Sequence, residues 1–280
     1  MALLGIFVTK RLLKLRSKSM AIGTALVTGA TSGIGEAFTR LLADKGYDLI
    51  LVARDESRLE ERAASLTAKY GIKAEVLRAD LTNFADCEIV EARLRSETSP
   101  ISVLINNAGF GINKAFTVSE IKAETELLDV LVRAPMRFMH AVLPGMKVRN
   151  SGTIINVSSV AGWIAGGTYS AAKSYLTVIS ESLHTELSGT KINVSALCPG
   201  FTRTEFHQRG RMKMGGLPKF MWLDSEKVVA ESWRSAQNGK AISVPGWQYA
   251  ILSFITRFGP RPMIRKIGMN IRVKQRERAK

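Results

Sequence analysis

Short apolar runs alternate with amphipathic stretches along most of this chain. The runs at residues 24–27, 48–53, 73–78, 103–106, 153–157, 192–197 and 241–244 have the length and the Val, Ile and Leu content of β-strands. Between them apolar residues recur at helical spacing, as at Ile34, Phe38, Leu41 and Leu42. Strands that read as near-continuous apolar runs need cover on both faces. The alternation therefore predicts an α/β unit with a doubly wound parallel sheet of about seven strands and helices on both faces. No long polar linker, internal repeat or low-complexity segment interrupts it. With 280 residues, 46% of them hydrophobic, one domain over residues 21–245 is expected, flanked by extensions at 1–20 and 246–280.

The first predicted strand runs into Thr28-Gly-Ala-Thr-Ser-Gly-Ile-Gly35, and a helical pattern follows at once. Strand, glycine turn and helix is an arrangement that binds phosphate. Gly29 can adopt a positive φ, Gly33 lets the backbone approach a pyrophosphate, and Gly35 permits close packing of the helix. The free N–H groups of the helix N-terminus attract the anion. Thr31, Ser32 and Ile34 belong to the same turn. Its spacing is Gly-x3-Gly-x-Gly, different from the commoner Gly-x-Gly-x2-Gly fingerprint.

Far downstream, Thr168-Tyr-Ser-Ala-Ala-Lys173 places Tyr169 and Lys173 four residues apart, on one face of a predicted helix. An ammonium beside a phenol favours the phenolate, which makes a proton donor usable near neutral pH. Such a pair also arises by chance on exposed helices. In one chain with the glycine turn, it reads as a nicotinamide oxidoreductase.

Five further segments stand in order at predicted strand ends: Asp80-Leu81, Asn106-Asn-Ala-Gly109, Ile155-Asn-Val-Ser-Ser159, Pro199-Gly200 and Thr204. With these motifs the chain, over roughly residues 22–245, resembles the short-chain dehydrogenase/reductase family, whose fold is a single Rossmann-like sheet. The resemblance implies Ser159, Tyr169 and Lys173 as catalytic residues, with Ser158 the structural competitor of Ser159. It implies a cofactor shell of Gly29, Thr31, Ser32, Gly33, Ile34, Gly35, Arg54, Asp80, Leu81, Asn107, Gly109, Pro199, Gly200 and Thr204, joined by Tyr169 and Lys173. Asp80 would bond the adenine amino group, Leu81 would contribute its backbone, and Asn106 would stabilise the sheet. Where NAD-preferring relatives carry an acid, Ala53 stands here and Arg54 follows. A guanidinium there can pair with a 2′-phosphate, so NADP is expected in preference to NAD. The substrate expected is a small carbonyl or alcohol compound, and a homo-oligomer is implied through the helix bearing Tyr169 and its neighbour.

One position departs from the family pattern. An Asn of the helix after the fourth strand is replaced by Leu131, which supplies no amide. A slower proton relay is one consequence. The alternative is a non-catalytic dinucleotide-binding sensor or membrane-surface scaffold on the same fold. The stretch 201–223, with Phe206, Met212, Met214, Phe220, Met221 and Trp222, forms either a lipophilic lid or additional core.

The net charge of +16 sits at the two ends, with +5 in residues 1–20 and +8 in residues 257–280. Leu4, Val8, Leu12 and Leu15 recur at helical spacing among the N-terminal lysines and arginines. That pattern fits an anionic membrane surface, as peripheral attachment at an inner membrane face. A start at Met20 is the plainer alternative. The apolar stretch is too short to span a bilayer, and no nucleic-acid-binding module accompanies the charge. Two cysteines, Cys87 and Cys198, fit a reducing, cytoplasmic setting. His140, His184 and His207 lack metal-ligand spacing with them, so no metal is expected.

Overall fold

The computed structural model describes residues 21–205 and 218–266. The N-terminal amphipathic pattern, Phe206, His207, Met212, Met214 and the basic tail after residue 266 lie outside the described residues.

Seven strands form one sheet: β1 (Thr24–Thr28), β2 (Asp48–Ala53), β3 (Ala74–Arg78), β4 (Ile101–Asn106), β5 (Gly152–Val157), β6 (Ile192–Leu197) and β7 (Ile242–Ser243). Their order is β3-β2-β1-β4-β5-β6-β7. Every pairing is parallel. The sequence-predicted strands stand within one or two residues of these bounds. The helices are α1 (Gly33–Asp44), α2 (Glu56–Tyr70), α3 (Phe84–Arg95), α4 (Ile121–Leu128), α5 (Ala134–Arg149), α6 (Thr168–Glu186), α7 (Ser225–Gln237) and α8 (Trp247–Phe258). A π-helical turn, Asp129–Arg133, joins α4 to α5.

Strand side chains point alternately to the two faces, and the core divides accordingly. Ala25, Val27, Leu49, Leu51, Val103 and Ile105 pack with Phe38 of α1, Leu59 of α2 and Trp233 of α7. Leu26, Ile50, Val52 and Leu104 pack on the other face with Val90 of α3 and Phe138 of α5. Phe38 and Phe138 are fully buried, and cutting either to Ala costs about 3–5 kcal/mol by the usual cavity penalty.

The order of strands reverses between β1 and β4, which pair in register from Ala25↔Val103 to Val27↔Ile105. Loops leaving neighbouring strands on opposite sides open a crevice at their C-terminal ends, where such sheets bind ligands. Side-chain caps close the starts of α2 and α3 beside the crevice but not that of α1. Asp55 Oδ1 accepts from the Arg58 N–H at the start of α2 (3.1 Å), and Asn83 Oδ1 accepts from the Ala85 N–H at the start of α3 (2.9 Å). At α1, which begins in the crevice, the Ser32 side chain makes no cap bond.

Candidate active site

The crevice is a cavity of about 990 Å³. Its floor is the glycine turn. Gly29 and Gly33 both have positive φ, +66° and +59°. The Gly29 N–H donates to the Val52 carbonyl at 2.8 Å, which bends the chain over the end of β2. A Cβ on Gly33 would lie 2.9 Å from Thr204 Cβ, so Thr204 stands directly over the turn. A Cβ on Gly35 would lie 2.2 Å from the Gly29 carbonyl oxygen. Gly35 therefore sits behind the cavity, where it lets α1 touch the turn, and it is the one expected cofactor residue absent from the cavity lining. An uncapped helix start and a cradle that side chains would fill fit a bound pyrophosphate.

The opposite wall carries the expected chemistry. Tyr169 and Lys173 lie on α6, with the Lys173 ammonium 5.6 Å from the Tyr169 ring centre. Lys173 is buried, and its Nζ donates to the Val157 carbonyl at 2.6 Å. Burial lowers its pKa to about 8, because a charged amine is disfavoured away from water. Burial also raises the Tyr169 phenol to about 12, opposed by a hydrogen bond with Ser159. The phenol is thus held protonated, with Ser159 as its partner and the lysine on the same helix face.

The two serines have separate environments. Ser158 is buried and donates to the Lys173 carbonyl at 2.6 Å, with Thr177 Oγ1 at 2.8 Å. Ser159 lines the cavity, and its Oγ accepts from the Ala161 N–H at 3.1 Å. Asn106 Nδ2 donates to Asn156 Oδ1 at 2.8 Å, tying β4 to β5 within the sheet. Around the cofactor end, Thr31, Ser32, Ile34, Arg54, Asp80, Leu81, Asn107, Gly109, Pro199 and Gly200 all reach the cavity. Asp80 Oδ1 accepts from the Thr82 N–H and hydroxyl, at 3.1 and 2.9 Å.

The crevice brings the glycine turn, Ser159, Tyr169 and Lys173 together. A family model described as short chain dehydrogenase matches residues 23–214. The chain belongs to the short-chain dehydrogenase/reductase family.

Its relatives in this family include the NADP-dependent 3-hydroxy acid dehydrogenase YdfG of Shigella flexneri, 38% identical over 187 residues, 65% of this chain and 73% of the relative. The very-long-chain 3-oxoacyl-CoA reductase of Phaeosphaeria nodorum is 31% identical over 266 residues, 91% of this chain and 78% of the relative. Among solved structures, a short-chain dehydrogenase from Sphingobium yanoikuyae in complex with NADPH superposes with a TM-score of 0.77. It is 33% identical, over 84% of this chain and 94% of that one.

Leu131, where this dehydrogenase departs from the family pattern, lies fully buried in the π-helical turn. It packs with Leu127 and Ala172, against Tyr169, Phe110 and Ile112. A Cβ on Gly109 would meet Leu131 Cδ2 at 2.6 Å and Lys173 Nζ at 3.9 Å, so the leucine fills space beside the lysine with hydrocarbon.

Other site residues escaped the sequence reading. Arg58 reaches back across α2 to donate to the Thr31 carbonyl (3.3 Å) and pairs with Glu205 at 3.1 Å. Tyr249, Leu252 and Thr256 of α8 wall the cavity. The Tyr249 hydroxyl accepts from the Phe201 N–H at 3.0 Å and donates to the Met221 carbonyl at 2.7 Å. Residues on both sides of position 245 therefore line the same cavity. A single tyrosine in the apolar stretch 247–258 gives no signal of this; only its contacts do. Cys87 and Cys198 are buried free thiols. No group of three or more His, Cys, Asp or Glu positioned for a metal occurs among the described residues.

Proposed function

We propose that this chain is an NADP-dependent oxidoreductase that interconverts a carbonyl and an alcohol on an apolar substrate, a ketone, an aldehyde or a 3-oxoacyl compound. The observation that carries this reading is the meeting of Ser159, Tyr169 and Lys173 in one cavity with the glycine turn. A bound nicotinamide would supply or accept the hydride at the carbonyl carbon. Ser159 holds the substrate oxygen beside Tyr169, whose neutral phenol delivers the proton to that oxygen during reduction. Lys173 then returns a proton towards the tyrosinate and stabilises its charge. Reduction therefore adds one hydride and one proton across the C=O bond.

At the cofactor end, the α1 N-terminus and the turn from Gly29 to Ile34 would take the pyrophosphate. Asp80 and Leu81 would hold the adenine side, and Pro199, Gly200 and Thr204 the nicotinamide side. Arg54 is exposed beside the cavity and would meet a 2′-phosphate, with no acid at Ala53 to repel it. The sensor alternative rests on Leu131 alone, and hydrocarbon beside Lys173 is compatible with a slowed relay. The reading also includes a homo-oligomer and peripheral attachment of the basic ends to an anionic membrane. NADPH and NADH oxidation by the purified protein against medium- and long-chain carbonyls, with Tyr169→Phe as control, tests it. NADPH-dependent turnover that survives in Tyr169→Phe would remove the proposed proton donor.

A further inference from the structure

Helix α8 is inverted for a helix in water. Its inner face is partly polar: Tyr249, Ser253 and Thr256 are buried, and the Ser253 and Thr256 hydroxyls are satisfied by the Ala250 and Leu252 carbonyls at 2.8 and 3.0 Å. Its outer face carries Trp247, Ile251, Phe254 and Phe258, at 70%, 55%, 65% and 71% exposure. These four recur at i, i+4, i+7 and i+11, so they form one stripe along the helix. The Phe254 and Phe258 rings lie 5.0 Å apart. Phe220, 61% exposed, is held near the start of the helix, because Gln248 Nε2 donates to its carbonyl at 3.0 Å. Large contiguous apolar patches of this kind mark contact surfaces.

The charge around the stripe selects the occupant. Residues 247–266 contain no Asp or Glu and four Lys or Arg. Arg261, Arg265 and Lys266 are exposed on the helical segment that follows α8, where Ile264 is buried. Arg257 on α8 itself is held by Glu181 at 3.7 Å. A second copy related by a two-fold axis would bring the same cations against one another. An anionic lipid surface complements them, and aromatic residues beside cations suit its interface.

We propose that α8 seats this protein on an anionic bilayer, with Trp247, Ile251, Phe254 and Phe258 entering the lipid interface. The helix's other face walls the cavity through Tyr249, Leu252 and Thr256, so one helix separates bilayer from active site. It would let an apolar substrate pass from lipid to Tyr169 without crossing bulk water. The substrate route rests on the reductase and membrane readings above; the docking face itself is independent of the reductase reading.

The test is flotation of the full chain with phosphatidylcholine vesicles, with and without phosphatidylserine. Wild type should float with the anionic vesicles, and Trp247→Ser/Phe254→Ser/Phe258→Ser should lose about tenfold or more of that binding. NADPH binding and turnover of a short water-soluble carbonyl should stay unchanged in the variant. Equal flotation of the variant, or none by wild type, overturns the proposal. So does light scattering that shows a wild-type dimer which the triple variant dissociates, since the stripe would then face a second copy. If the triple variant does not fold, quenching by brominated lipid decides: docked wild type should be quenched, and Trp247→Phe should lose a large part of that quench. Undiminished quenching in Trp247→Phe would place the stripe away from lipid and overturn the proposal. Intact docking with no NADPH oxidation on any carbonyl would overturn the substrate route and the reductase reading, while supporting the docking face.

Discussion

The Asn107 side-chain amide donates to the Thr28 carbonyl at 2.9 Å, and Thr28 Oγ1 in turn accepts the Asn107 N–H at 2.9 Å. Asn107 Nδ2 also reaches the Gly29 carbonyl at 3.2 Å. One side chain therefore clamps the end of β4 to the glycine turn after β1, on both sides of the crevice. Asn107→Leu leaves those carbonyls without a donor, at about 1–3 kcal/mol for the buried polar loss. Urea unfolding should show that decrease, with weaker NADPH binding in the surviving native fraction. Unchanged stability and affinity together would count against the clamp.

Tyr169→Phe removes the hydroxyl that bonds Ser159 and keeps the ring that packs on Leu131. A general acid contributes about 10²–10⁴ in rate, so kcat should fall by that range while the NADPH dissociation constant stays within about twofold. Stopped-flow rates and fluorescence titration on the same preparation separate the two.

Lys173 provides a pH signature. Burial lowers its pKa from 10.5 to about 8, so between those values the unfolded chain holds the proton that the folded one has released. Folding stability should therefore rise with pH across that window, and Lys173→Met should abolish the rise. Tyr169, raised from 10.0 to about 12, acts oppositely above pH 10, where the folded state keeps a proton the unfolded chain loses. In the reductive direction kcat should decline above pH 8 as the ammonium is lost. A rate profile flat to well beyond that point would argue that Lys173 relays no proton.

Arg54 and Arg58 stand together at the cofactor end, the first exposed and the second paired with Glu205. A charge-assisted bond is worth about 1.5–3 kcal/mol, so Arg54→Ala should weaken NADPH binding by roughly ten- to a hundredfold and leave NADH nearly unaffected. Calorimetry with both nucleotides checks it. An equal loss for both would assign Arg54 to the common part of the dinucleotide.

Gly200 lies under the Tyr249 ring, and a Cβ there would come within 2.0 Å of it. Gly200→Ala should push Tyr249 from its bonds to Phe201 and Met221, loosening α8 from the cavity. Limited proteolysis should cut the C-terminal region faster in the variant, with a lower melting temperature. Wild-type resistance would show that Tyr249 yields without cost.

Local patterns determined much of this protein. The apolar runs place every strand within one or two residues, because strand length and side-chain alternation are properties of neighbouring residues. The positive φ of Gly29, the helical face shared by Tyr169 and Lys173, and the charge at the chain ends were likewise legible in the sequence. Tertiary structure alone decided what depends on distant partners. Arg58 finds Glu205 across 147 residues, and Asn107 serves the turn at Thr28 across 79. The apolar stretch 247–258 is equally consistent with either face being buried. Its stripe is exposed because the helix turns Tyr249 inward to bonds with Phe201 and Met221 that only the packed chain provides, while Ser253 and Thr256 on the same inner face satisfy their hydroxyls within the helix.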